Sequence, residues 1–243
     1  MAESPFSVSR NWSLYWTRLP SNFKRMEYFN GESPKELLAL KALAAVGVIS
    51  GQQLQKLFSL DKKRLKSMVI EQKIIRHELK VNHQVIPIYT LGVNGAVMAG
   101  IEESYQLNYW ISLRIEDVLK CILFFQLYKQ FRKSATVLVQ PAPKPFTGAV
   151  TLNDRLFYVY VVRDETNDLS MFFKWNEHFD ERVIILTESL RHLEPLKWHL
   201  SKLKIRIALD EDIYNDVDQI QNLFYFIEDG EFLREKANLV NAK

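Results

Sequence analysis

Lys62, Lys63 and Lys66 crowd into little more than one turn of a predicted helix, and Arg76 and Lys80 follow two alternations apart on a predicted strand. Ammonium and guanidinium groups in such a cluster can neutralise phosphates, which is the sequence-independent part of nucleic-acid binding. At about 100° per residue, Lys63, Lys66, Ser67 and Ile70 share one face of the helix, opposite Leu65, Met68, Val69 and Gln72. Lys62, Lys63, Lys66 and Ser67 are therefore candidate contacts to base edges or phosphates. Arg76, Lys80 and His83 are candidate contacts from the ribbon that follows. Seven Lys/Arg against three acids lie between Leu60 and Lys80, an excess larger than the net charge of +3 carried by the whole chain. From Ala208 onward nine acids face three bases. This asymmetry points to an anionic partner for the first half only.

Other chemistries find less support. The histidines, 77, 83, 178, 192 and 199, show no metal-ligand spacing beside an acid, and Cys121 is the only cysteine. Cys121 sits in the apolar run "CILFFQLY" and reads as a buried thiol, and a lone cysteine excludes an internal disulfide framework. "GVNGAVMAG" lacks the Lys-Ser/Thr ending of a phosphate loop, and no Gly-x-Ser-x-Gly elbow occurs. "RDETND" and "DEDIYND" are carboxylate clusters just after strands, where solvated loops also lie. No cofactor or metal is expected.

These groups need elements to position them. Ser33, Pro34 and Glu36 form a helix start, and "PKELLALKALAAVGV" keeps Leu37, Leu40, Ala44 and Val48 on one face. Ser50 caps a short second helix over "GQQLQKLF". Ser59 is expected to cap a third from Asp61 to Gln72, the one that carries the lysines. After Lys73 the hydrophobic period changes from 3.6 to 2. Ile75, His77, Leu79 and Val81 point one way, "NHQ" turns, and "VIPIYTL" returns with Pro87 favouring an edge. Three helices followed by a two-stranded ribbon is the winged helix-turn-helix order, with the third helix in the major groove and the wing along the backbone.

The stretch "LLALKALAAVGVISGQQLQKLFSLDKKRLKSMVIEQKIIRHEL", continued by "IYTLGVNGAVMAGI", resembles the winged-helix domain of the replication-relaxation family of Gram-positive plasmids, phages and integrative elements. The likeness covers about residues 35–101. It rests on the order Leu-x-x-Leu-Phe, Arg-Leu at the recognition helix, a basic strand and Tyr-x-Leu-x-x-x-Gly. It implies a duplex-DNA-binding protein of a mobile element, and an α/β domain with a restriction-endonuclease-like core after the winged helix. Nucleases of that kind need an acid opening one strand and an acid-x-Lys on the next to hold Mg²⁺. "RLFYVYVVRDE" offers no acid-x-Lys; Asp154, Asp164 and Glu165 lie at strand ends and Arg163 stands alone. The core is therefore expected to be degenerate and silent.

The expected fold class is mixed α/β. Residues 1–33 form an arm bearing Trp12, Tyr15, Trp16 and Tyr28, interrupted by Pro20 and Gly31. Residues 34–101 form the winged helix, 102–135 a connecting helix, and 136–243 an α/β domain with a central sheet of four or so strands. That domain is to contain a long helix over 188–203 and a final one over 212–227. The apolar stripe Ile115, Leu119, Ile122 and Phe125 is wide enough to serve as a homodimer seam. A composition 47% hydrophobic and 25% charged excludes disorder, and no run suits a bilayer or a signal peptide. The expectation is a cytoplasmic protein that binds double-stranded DNA, as a homodimer, with a protein partner through the α/β domain and no membrane. The alternatives are a Mg²⁺-dependent nuclease and a protein-interaction adaptor without DNA binding.

Overall fold

The computed structural model describes residues 4–27, 33–163, 165–176, 178–215 and 220–235. Tyr28, Gly31, Asp164 and the stretch beyond 235 lie outside the described residues. The fold is mixed α/β, and the chain divides into two compact units, Val8–Phe125 and a second made of Met1–Ser7 with Gln126–Lys243.

In the first unit, strand β1 (Trp12–Tyr15) precedes helix α1 (Pro34–Val46). The Ser33 hydroxyl accepts from the Glu36 N–H, Pro34 opens the helix, and Gly47 ends it at φ 102°, donating its N–H to Leu43. Strand β2 (Val48–Ser50) leads into helix α2 (Gly51–Phe58), where Ser50 and Gln53 form a reciprocal capping box. Ser59, expected to cap the third helix, instead terminates α2 in the left-handed conformation at φ 55°. Asp61 caps helix α3 (Lys62–Ile70), accepting from the Arg64 N–H at 2.6 Å. Its carboxylate immediately precedes the helix and complements the positive end of the helix dipole.

Strands β3 (Ile74–Val81) and β4 (Gln84–Leu91) pair antiparallel around the turn at Asn82 and His83, with Asn82 at φ 53°. Sheet order is β1-β3-β4-β2. The N-terminal arm is thus part of the fold: β1 pairs with β3, Trp12 opposite Val81 and Tyr15 opposite Glu78. An open β3 edge would leave unpaired backbone groups, and β1 satisfies them. Pro87 lies beyond the reach of β2, which pairs only with residues 88–90. Helix α4 (Val93–Ala99) packs so tightly on the start of β3 that a Cβ on Gly95 would fall 2.0 Å from the Lys73 carbonyl oxygen.

Helix α5 (Ile115–Phe131) runs across the division between the units. Its stripe is not free to form a seam. Leu119, Ile122 and Phe125 are buried and Ile115 is half-buried; Phe125 packs against Phe58, and the Ile122 carbonyl accepts from Gln53. Cys121 is buried too, and burial pushes its thiol up to about 12, which leaves it unreactive.

The second unit is built on β5 (Val137–Gln140), β6 (Gly148–Leu152), β7 (Arg155–Val161), β8 (Arg182–Thr187), β9 (Ile205–Leu209), β10 (Phe224–Glu228) and β11 (Glu231–Arg234). Among the described residues these make one seven-stranded sheet, ordered β11-β10-β9-β8-β7-β6-β5, in which β7, β8 and β9 run parallel. Helix α6 (Asn167–Trp175) connects β7 to β8. The long helix expected over 188–203 is a 3₁₀ segment, Leu190–Leu196, followed by the short helix α7 (Lys197–Leu200). Pro195 cannot donate to a helical ladder and breaks it. The helix expected over 212–227 is not continuous among the described residues, whose last part, Phe224–Glu228, is strand. Helix α8 (Asp210–Tyr214) is brief, and β10 and β11 form a hairpin through Asp229 and Gly230, both at positive φ. Asp-Gly is a strong hairpin signal. Among the described residues no helix is long and apolar enough to cross a membrane.

One titratable ring lies inside the first sheet. His77 is 1% exposed, between Trp16 and Trp110. Its Nδ1 accepts from the Thr17 N–H at 3.0 Å, so Nε2 carries the proton and donates to the Thr90 hydroxyl at 2.8 Å. Burial holds its pKa down to about 3, from the usual 6.5. Below pH 6.5 the unfolded chain takes up a proton that the folded chain refuses, so stability falls with pH until about pH 3. From pH 7 to pH 5 the loss is about 2 kcal/mol. Urea titrations followed by the buried Trp12 and Trp110 should read this drop, and His77→Gln should flatten it.

Candidate nucleic-acid interface

The basic stretch divides into interior and surface charges. Arg64 projects from α3 toward α1 and the end of its own helix. Its Nε and Nη2 donate to the two Glu36 carboxylate oxygens at 2.8 and 2.6 Å. Its Nη1 and Nη2 donate to the Glu71 oxygens at 2.8 and 3.1 Å, and Nη1 also reaches the Ser67 hydroxyl at 3.1 Å. All five guanidinium N–H groups are spent. Lys73, with a side chain 0% exposed, contacts Glu36 at 3.2 Å and Glu71 at 2.7 Å. Two cations and two carboxylates thus balance. Burial works against both carboxylates, yet the hydrogen bonds from Arg64 and Lys73 prevail and hold Glu71 down to about 2 and Glu36 below its ordinary range. The Glu71 contribution to stability is present above about pH 4.5 and lost as pH falls toward 2.

Ser67, expected on the contact face, instead donates its hydroxyl to Glu71 at 2.8 Å and accepts from Arg64. It belongs to this network. Lys62, Lys63 and Lys66 stay exposed, and none has a carboxylate partner among the described residues. Ile70 follows them on the same face, 70% exposed.

Between α3 and the β3–β4 ribbon lies an open groove of about 580 Å³, lined by Lys62, Lys66, Ile70, Arg76, Pro87 and Tyr89 among others. Alternation explains its far wall. Arg76, Glu78 and Lys80 project from one face of β3, directly across from Tyr89, Pro87 and Val85 of β4. The Arg76 side chain is 51% exposed, 3.5 Å from Glu78. Lys80 lies 3.6 Å from Glu78 and 4.2 Å from the centre of the Tyr15 ring. His83 is exposed at the turn. The groove therefore gathers Lys62, Lys66 and Arg76. Lys63 stands on the exposed helix face, and Lys80 and His83 lie farther along the ribbon. Gln55 and Tyr89 also line the groove, and neither is among the residues that the sequence singles out. The strand register that sets Tyr89 against Arg76 is the signal that could have found it.

A second polar cluster lies at the carboxyl ends of β7, β8 and β9. Arg163, solitary in the sequence, is fully buried and bonds to Asp210, which also accepts from the Ser4 hydroxyl. Glu188 lies 3.8 Å from the Arg163 Nε. Arg163 Nε, Glu188 Oε1, Asp210 Oδ1 and Asp212 Oδ2 are buried with no hydrogen-bond partner among the described residues. The partners are far apart in sequence, and no local motif announces them. Among the described residues no group of His, Cys, Asp and Glu is arranged to hold a metal ion. Asp154 is exposed in the β6–β7 turn and Glu165 bonds to Asn167.

No known protein family, curated protein or solved structure matches the chain.

The two classes of cation should separate in stability measurements. Arg64→Ala leaves two buried carboxylates to share Lys73 as their one cation and should cost about 3 kcal/mol. Lys66→Ala removes an exposed, unpaired charge and should change stability by less than about 0.5 kcal/mol. Denaturant midpoints for the two variants make the comparison.

Proposed function

We propose that the unit Val8–Phe125 is a winged helix-turn-helix module that binds duplex DNA. Helices α2 and α3 serve as the helix-turn-helix, α3 enters the major groove, and the β3–β4 ribbon is the wing. The observation that carries this reading is the selective exposure of charge. Where Arg64 and Lys73 are neutralised internally, Lys62, Lys63 and Lys66 have no carboxylate partner among the described residues, and Lys62 and Lys66 line an open groove that also takes Arg76. Unpaired ammonium groups on one helix face, with a cationic ribbon beside them, suit the paired phosphate rows of a duplex. The resemblance to the replication-relaxation family supports a role in replication, maintenance, transfer or transcription control of a bacterial mobile element.

The protein acts as a homodimer on this reading, setting two wings on two half-sites, with a contact elsewhere than the buried stripe of α5. Its α/β unit has a degenerate restriction-endonuclease-like core, does no catalysis and receives a protein partner. In support, β6 and β7 carry no carboxylate.

Fluorescence anisotropy with a labelled duplex over a range of salt tests the binding. Lys62→Ala/Lys66→Ala should weaken it and lower the salt slope by about one for each phosphate no longer neutralised. Unchanged affinity in a folded double variant would sink the assignment. For the α/β unit, supercoiled DNA incubated with the protein and Mg²⁺ or Mn²⁺ should stay intact; nicking abolished by Asp154→Ala would make it a nuclease.

A further inference from the structure

We infer, resting on the DNA-binding reading above, that this interface grips duplex DNA by its phosphates and senses base composition rather than a defined sequence, with a preference for A·T-rich duplex. The inference comes from which side chains are left to read bases. Strong discrimination in the major groove relies on planar groups that make two hydrogen bonds to one base, the guanidinium of Arg and the amides of Asn and Gln.

On α3 and at its C-terminal end every such group is already in use. Arg64 is the only guanidinium on the helix, and Glu36, Glu71 and Ser67 take all five of its N–H groups. Gln72, at the end of the helix, donates to the Lys24 carbonyl and accepts from the Met26 N–H. Gln53 is buried and donates to the Ile122 carbonyl. Gln55, at the groove edge, donates to the Gly51 carbonyl. Gln52 is exposed, but it lies in α2, the helix that crosses the backbone in this arrangement.

What α3 presents is three ammonium groups and one aliphatic side chain. An ammonium is a compact point charge without the fork geometry that distinguishes one base from another. Ile70 offers an apolar surface at 70% exposure, and the apolar feature of the major groove is the thymine methyl group. The wing tip adds Asn82, His83 and Gln84, all exposed. Polar side chains entering the minor groove meet the same acceptors in A·T and T·A pairs and so report composition, not order. The one half-exposed guanidinium of the groove, Arg76, is mounted on the wing rather than on α3 and is turned toward Tyr89 and Glu78, and Lys80 lies over Tyr15.

The test uses the full chain and a randomised duplex library, followed by anisotropy on duplexes of equal length. One is A·T-rich, one is G·C-rich, and one is A·T-rich with uracil in place of thymine, which removes the methyl groups and nothing else. Selection should enrich A·T content without a positional motif. The A·T-rich and G·C-rich duplexes should differ by no more than about tenfold, against the roughly 10³ or more that separates specific from non-specific sites in sequence readers. Uracil substitution should weaken wild-type binding severalfold and leave Ile70→Ala unaffected, while the salt slopes of the two proteins stay equal. A selected motif whose scrambled version binds a hundredfold more weakly overturns the inference and leaves DNA binding standing. A preference for G·C-rich duplex, or equal weakening of both proteins on uracil substitution, also overturns it. Failure to bind any duplex at low salt removes the DNA-binding reading and this inference together.

Discussion

The arrangement of the first unit depends on one internal charge balance: Glu36, Arg64, Glu71 and Lys73 neutralise each other among α1, α3 and the start of β3. A fully buried ammonium is tolerable only with close anionic partners, and Lys73 has two. A carboxylate beside Arg64 and Lys73 keeps its charge because leaving any one member alone would cost more than keeping all four. The network fixes the roll of α3 about its axis. With Arg64 and Ser67 directed inward, Lys62, Lys63, Lys66 and Ile70 have only the outward direction left. Surface chemistry in this unit is therefore set from beneath.

That division was half legible in the sequence. Ser33-Pro34, the Ser50–Gln53 box and the change of period after Lys73 are local signals, each acting within about one turn or one strand pair, and the elements they announce are present. The alternation of Arg76, Glu78 and Lys80 likewise marks the exposed face of the ribbon. The fate of Arg64 was not legible, because its partner Glu36 is 28 positions away and nothing in the spacing distinguishes a spent cation from a free one. Strand β1 was hidden for a related reason: four residues with little alternation become a strand only when β3 offers an edge.

The second unit shows the same limit in another form. Its hairpin β10–β11 was announced by Asp229-Gly230, yet the apolar spacing before it fits a helix as readily, and the turn residues decide between them. Arg163, Glu188 and Asp210 follow three different strands. Only the parallel pairing of β7, β8 and β9 brings them together, so an ion cluster at the strand ends is a property of topology rather than of any motif. Three of its polar atoms lack a hydrogen-bond partner among the described residues, which makes it the most electrostatically demanding interior point described in that unit.

The hydrogen bond from Ser4 to Asp210 spans 206 positions. It makes the second unit discontinuous, with the whole of Val8–Phe125 lying in sequence between its two parts. The consequence concerns time. As the chain leaves the ribosome, Ser4 emerges long before the strand end that will hold it, while α1, α3 and β3 find their charge partners within about 40 residues. Vectorial synthesis thus lets the unit Val8–Phe125 close early and keeps the α/β sheet unfinished until nearly the last described residues have been made.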